Sequence, residues 1–116
     1  MKIIRNNFIP FPGFKAINLF GILFVRGKDT VISQEVINHE SIHTAQMKEM
    51  LYLPFYLWYC IEYVYRMFWY AKKSNKPKAK DPYHALSFER EAYQNENTPD
   101  YLEHRSFWAW TKYFKY

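Results

Sequence analysis

Apolar and polar positions alternate on different periods in different stretches of this chain, and the changes of period divide its 116 residues into regions with distinct structural expectations. The first thirty residues carry Pro10, Pro12, Gly13, Gly21 and Gly27, separated by short runs rich in Ile, Phe and Val. That pattern favours strands and turns over helix. Phe14 to Val25 reads as one or two strands around Gly21, and Asp29-Thr30 closes the region. From Ser33 the pattern changes. Ser33 is a good N-cap, Glu35 falls in the first turn where it complements the helix dipole, and neither Gly nor Pro recurs until Pro54. The spacing predicts a helix from Gln34 to Glu49. Ile32, Val36, Ile42 and Met47 supply its apolar contacts, in an imperfect stripe because two histidines take part of the inward face.

Met50 to Tyr70 is nearly continuous in apolar and aromatic residues, broken only by Glu62 and Arg66, whose i,i+4 spacing allows an ion pair across one helical turn. Its length would permit a membrane span. Its six tyrosines and the charged pair make a poor hydrocarbon segment, so an interfacial or core-buried helix is expected, with Pro54 accommodated near the first turn. A lysine-rich stretch with Ser74, Asn75, Pro77 and Pro82 reads as an exposed loop. Tyr83 to Asn95 has helical spacing in Leu86, Phe88 and Ala92, Asn97-Thr98-Pro99-Asp100 punctuates, and Tyr101 to Tyr113 reads as a final aromatic helix. The expected fold is α+β in one domain spanning residues 1–116: a small N-terminal sheet or hairpin followed by three or four helices.

Composition changes this picture in three places. Aromatic residues make up 22% of the chain, and Tyr and Trp, with a polar tip on an apolar body, suit interfaces and headgroup depth as well as cores. The net charge of +5 is concentrated in Lys72, Lys73, Lys76, Lys78 and Lys80, directly after the most apolar segment. This is where anionic headgroups would be met, so peripheral membrane contact through residues 50–80 is a candidate, whereas no nucleic-acid motif accompanies the run. The lone Cys60 excludes an intrachain disulfide, fits a reducing compartment, and lies in an apolar run where a buried structural thiol is expected. Met1 to Asn7 lacks the apolar core and cleavage site of a signal peptide. A cytoplasmic location follows, with peripheral contact to the inner face of the membrane as its extension.

The chemistry concentrates in His39-Glu40-Ser41-Ile42-His43. Residues four apart lie one above the other on a helix, so His39 and His43 present two imidazoles to one point, as two zinc ligands would. Glu40 stands beside the open position of such a metal, where it can take the proton of an activated water. A chance occurrence of this motif on a surface helix is the plain alternative. The metzincin continuation would need Gly at Gln46 and His at Glu49, and is absent. A glutamate from a later helix can complete a two-histidine, one-carboxylate set. The chain offers Phe88-Glu89-Arg90-Glu91-Ala92-Tyr93, and both glutamates stay open, as does a simple solvated pairing with Arg90.

With both motifs in place, the chain resembles the gluzincin metallopeptidases, in particular the group of CAAX prenyl proteases, heat-shock membrane proteases and very small minigluzincins. The resemblance covers roughly residues 31–95 and rests on His39-Glu40-x-x-His43 and Glu89-x-x-Ala92. It implies a zincin-like fold, one zinc ion per chain held by His39, His43 and Glu89, Glu40 as general base, and a peptide or protein substrate. An endopeptidase is expected rather than an exopeptidase. The family usually has Asp or Asn after the alanine, where this chain has Tyr93. It also implies that the strand upstream of the active-site helix, here Asn18 to Val25, binds substrate backbone by edge pairing, an ordinary hairpin being the alternative.

An oxyanion stabiliser is sought among His84, Arg90, Tyr93, Tyr101 and His104. Two other readings stand beside the peptidase: a non-catalytic or latent zinc module, closed by a further ligand such as His84 or His104 or by the C-terminal segment, and a membrane-docking protein with a secondary zinc site. A two-histidine, one-carboxylate set also accepts divalent ions other than zinc.

Overall fold

A computed structural model describes residues 1–71 and 81–115 of the chain. Three strands form the N-terminal sheet: β1 (Lys2–Asn6), β2 (Ala16–Leu19) and β3 (Ile22–Arg26), in the order β1-β3-β2. β3 is central, parallel to β1 and antiparallel to β2. Its Leu23 and Val25 point inward and are fully buried, while both outer strands leave one edge free of strand pairing. Phe20 and Gly21 make the two-residue turn between β2 and β3 with φ of 53° and 87°. Positive φ at both central positions is the geometry that matches the twist of a tight hairpin. Gly21 is further constrained because a Cβ there would lie 3.1 Å from Thr44 Cγ2.

α1 (Gln34–Glu49) has the predicted bounds, and Ser33 Oγ accepts the Val36 N–H at 3.3 Å as its N-cap. Arg5 of β1 fixes the approach to this helix by donating to the carbonyls of Gly27, Lys28 and Thr30. On the other side, Asn18 of β2 donates to the Glu40 carbonyl at 2.9 Å and to Thr44 Oγ1 at 3.2 Å. The sheet edge and the middle of α1 are thereby locked together. Ile42 and Met47 are buried as expected, whereas Val36 is 38% exposed because it lies on the rim of the cleft beside β2.

Two consecutive left-handed residues, Leu51 and Tyr52, reverse the chain into α2 (Leu53–Ala71). This helix buries Phe55, Glu62 and Arg66 and turns Leu57, Ile61 and Phe68 outward. Cys60 is therefore exposed, contrary to the expectation of a buried thiol, because the apolar run around it faces away from the core. No helix among the described residues is long and apolar enough to cross a membrane. The lysine-rich stretch lies outside the described residues, apart from its end at Pro82.

The helix expected over Tyr83 to Asn95 is two: α3 (Pro82–Ala85) and α4 (Ser87–Asn95), separated at Leu86, whose ψ of 138° is extended. Leu86 cannot cap α4 with its side chain, and Glu62 of α2 does so instead. Its carboxylate accepts Ser87 N–H and Ser87 Oγ–H, each at 2.6 Å. An acidic group at a helix N-terminus satisfies orphan donors and complements the dipole. The final helix is also divided, into α5 (Tyr101–His104) and a 3-10 helix (Ala109–Tyr113). Arg105 breaks it by bonding to Glu49 of α1 and Glu91 of α4, at 2.8 and 2.5 Å. Trp110 then joins Met47, Phe55 and Phe88 in the apolar core behind the site.

Candidate metal centre

His39 and His43 are buried on one face of α1, with ring centroids 4.8 Å apart, and α4 brings Glu89 against both. Glu89 Oε1 lies 3.0 Å from His39 Nε2 and 3.1 Å from His43 Nε2, and the two Nε2 atoms are 3.1 Å apart. These three atoms form a nearly equilateral triangle. Tetrahedral zinc with ligands at about 2.0–2.1 Å sets donor atoms about 3.3 Å apart, so the triangle has the dimensions of one face of such a site.

The surrounding hydrogen bonds determine what those atoms offer. Gln46 donates its amide hydrogens to Phe88 O at 3.1 Å and Glu91 Oε1 at 2.9 Å, which turns its own carbonyl toward His43 Nδ1 at 2.8 Å. His43 Nδ1 must then be the donor. His39 Nδ1 likewise faces a carboxylate oxygen, Glu96 Oε2, at 2.8 Å. In the neutral rings both Nε2 atoms consequently carry lone pairs, and these meet the lone pairs of Glu89 Oε1. Tyr59 donates to Glu89 Oε2 at 2.7 Å, leaving Oε1 to face the rings. Three converging acceptors in a buried place repel one another unless a cation sits among them, so the donor set fits a divalent metal ion.

Without a metal, a proton serves as that cation. Burial alone would lower the His43 pKa, but the Glu89 charge and hydrogen bond raise it to about 9. Burial would raise Glu89, yet the His43 charge and the bonds from His39, His43 and Tyr59 hold it well below the usual carboxylate range. Glu40 belongs to the same group: ligand atoms of His39, Glu40 and His43 all lie within 4.8 Å of one another. Glu89 contacts both rings directly, so it is the stronger candidate for the third ligand, while half-buried Glu40 lines the cleft beside them.

That cleft has a volume of about 320 Å³ and runs between the β2 residues Ala16 to Leu19 and Glu40, His43, Tyr59, Tyr83 and Glu89. Lys15 O accepts Arg26 N–H at 2.8 Å across the hairpin, and alternation along β2 then directs the backbone groups of Ala16 and Asn18 to the edge away from β3, where the Tyr56 hydroxyl donates to Asn18 O at 3.4 Å. Tyr83 lines the cleft on both sides of Glu40. Burial and the Glu89 charge push its hydroxyl far above the ordinary tyrosine range, with hydrogen bonding to Tyr93 and Glu89 acting in the same direction.

Glu91 is not in the site. It is fully buried, accepts from Tyr101 at 2.6 Å and Arg105 at 2.5 Å, and holds Gln46 in place. Of the other sequence candidates, Tyr93 packs edge-on against His39 with centroids 4.4 Å apart. His84 pairs with Asp81 at 2.8 Å, and exposed His104 pairs with Asp100 at 3.2 Å. Arg90 donates to the Tyr113 and Lys115 carbonyls. The carboxylate that the family resemblance would seek at Tyr93 comes from Glu96 instead, seven residues after Glu89 and on the same helical face. That spacing was a usable signal; Tyr59 and Tyr83, two among eleven tyrosines, carried none.

The chain matches no protein-family model, no curated protein and no solved structure.

Proposed function

We propose that this chain is a zinc-dependent metallopeptidase of the gluzincin type, acting on an extended peptide. The triangle of His39 Nε2, His43 Nε2 and Glu89 Oε1, with Glu40 beside it on the cleft wall, carries the reading. His39, His43 and Glu89 would hold the zinc, which would supply Lewis acidity to a water and to the scissile carbonyl.

The rest is the work of the chain's own residues. Glu96 and Gln46 hold the two imidazoles in the tautomer that aims Nε2 inward. The backbone groups of Ala16, on the edge of β2 away from β3, pair with the substrate strand and lay it across the cleft. Glu40 takes the proton from the attacking water and delivers it to the departing amine. Tyr83 donates its hydroxyl to the carbonyl oxygen as negative charge develops there.

A closed, non-catalytic zinc module would require another protein ligand. Neither His84 nor His104 lines either side of the cleft, and His104 is exposed, which favours the catalytic reading. A latent form closed by the C-terminal segment is likewise disfavoured, since no described residue after Glu96 lines either side of the cleft.

The test compares wild type and Glu40→Gln for metal content and for hydrolysis of a quenched fluorescent peptide library. About one zinc per chain in both, with hydrolysis reduced roughly 10²–10⁴-fold in the variant, is expected. Folded wild type without zinc, or cleavage that persists in Glu40→Gln, would overturn the proposal.

A further inference from the structure

Between Leu53 and Ala71 the only acidic or basic residues are Glu62 and Arg66, and α2 buries both, at 1% and 2% exposure. The opposite face carries Leu53, Leu57, Ile61, Val64 and Phe68, which are 71%, 64%, 50%, 50% and 69% exposed. At 100° per residue these five fall within an arc of roughly 80°, and they extend for roughly 22 Å along the helix axis. Tyr63 and Tyr65 lie to either side, 37% and 50% exposed. An amphipathic helix normally turns its apolar stripe to the core. Here Glu62 is needed inside to cap α4, and Arg66 pairs with it at 3.8 Å, so the aliphatic stripe faces out.

We propose that this outer face of α2 docks on an anionic lipid bilayer, with the aliphatic stripe at the boundary between headgroups and acyl chains and the flanking tyrosines at headgroup depth. Charge selects the occupant. The chain carries +5 overall, and five lysines occupy the nine residues that follow α2 in the sequence. A second copy of the chain would bring no acidic residue to meet them along α2, because Glu62 is buried. An anionic bilayer offers both an apolar phase and negative charge, and each nearby lysine strengthens binding about fivefold. The surface is independent of the metal centre.

Vesicle flotation at low salt tests this on the full chain, using phosphatidylcholine vesicles with and without phosphatidylglycerol. Wild type floats with the mixed vesicles and not with phosphatidylcholine alone, a comparison that needs no variant to fold. Leu57→Glu and Ile61→Glu, at exposed positions, each reduce partitioning about tenfold or more, by the loss of one buried aliphatic side chain. Glutamine at the five lysines also weakens flotation, while Glu40→Gln floats like wild type, so docking and hydrolysis fail separately. The proposal is overturned if wild type does not float with anionic vesicles, if Ile61→Glu floats undiminished, or if vesicle-free protein is a dimer that Ile61→Glu converts to monomer.

Discussion

α1 and α2 are consecutive in the chain and both bury polar side chains, yet they do so to opposite ends. α1 buries His39, His43 and Gln46, and the polar atoms of its two histidines converge with Glu89 as three acceptors around one point. α2 buries Glu62 and Arg66, whose opposite charges face each other and whose carboxylate is occupied by Ser87. The first arrangement gathers acceptors that a cation would satisfy; the second pairs opposite charges and holds α4 in position. Burial of charge therefore does not by itself mark a functional site. The mismatch among acceptors is what makes the α1 cluster the candidate.

The sharpest way to break this contrast is Glu62→Ala. It removes the carboxylate that faces buried Arg66, which keeps the Phe114 carbonyl and the Tyr65, Trp69 and Phe114 rings, and it uncaps Ser87, at a cost of about 3 kcal/mol. Urea unfolding should show a lowered midpoint at unchanged slope. Because α4 carries Glu89, metal content should fall as well. A loss below about 1 kcal/mol would show that Glu62 does not anchor α4.

Glu96→Gln probes the other helix. It replaces the carboxylate behind His39 while keeping the side chain's size, and should weaken zinc binding about 10–100-fold, or about 1.4–2.7 kcal/mol. Competition with a chromophoric chelator measures it, with circular dichroism as the check on fold. Unchanged affinity would mean that His39 needs no carboxylate to orient it.

These two residues also mark where sequence reading succeeded and where it stopped. α1 was legible to its ends because Ser33, Glu35 and the absence of Gly and Pro act locally, and His39, Glu40 and His43 came with it. The hairpin was legible from Gly21 for the same reason. Glu62 and Arg66 were recognised as a pair, but their inward direction was not, because it depends on Ser87, twenty-five residues away. The breaks at Leu86 and Arg105 were hidden for similar reasons: each is set by a contact with another helix rather than by a local breaker. The residues alone left Glu89 and Glu91 open, and only the family resemblance pointed to Glu89; in the fold, Arg105 and Gln46 occupy Glu91.

A smaller effect is expected at the start of α1. Ser33→Ala removes the side chain that accepts the Val36 N–H, and should lower stability by about 1 kcal/mol, read as a drop of a few degrees in a thermal melt. Since the cap lies six residues before His39, zinc content should stay at wild-type level. A melt indistinguishable from wild type would show that packing alone sets this end of the helix.

The smallest effect belongs to the outer face of α2. Leu57 is 64% exposed, whereas Phe55, two residues earlier on the same helix, is 2% exposed within the core. Leu57→Gln exchanges an aliphatic group already in water for a polar one, so neither a cavity nor an unpaired buried group results. Its unfolding free energy in dilute, vesicle-free solution should lie within about 0.5 kcal/mol of wild type. The contrast between the helices requires this near-neutrality, because a face that contributes nothing to the fold is free to meet something else. A loss above about 1 kcal/mol would mean that the stripe is covered in the isolated protein. α2 would then be an ordinary two-sided core helix, and its outer face would not be free to meet anything else.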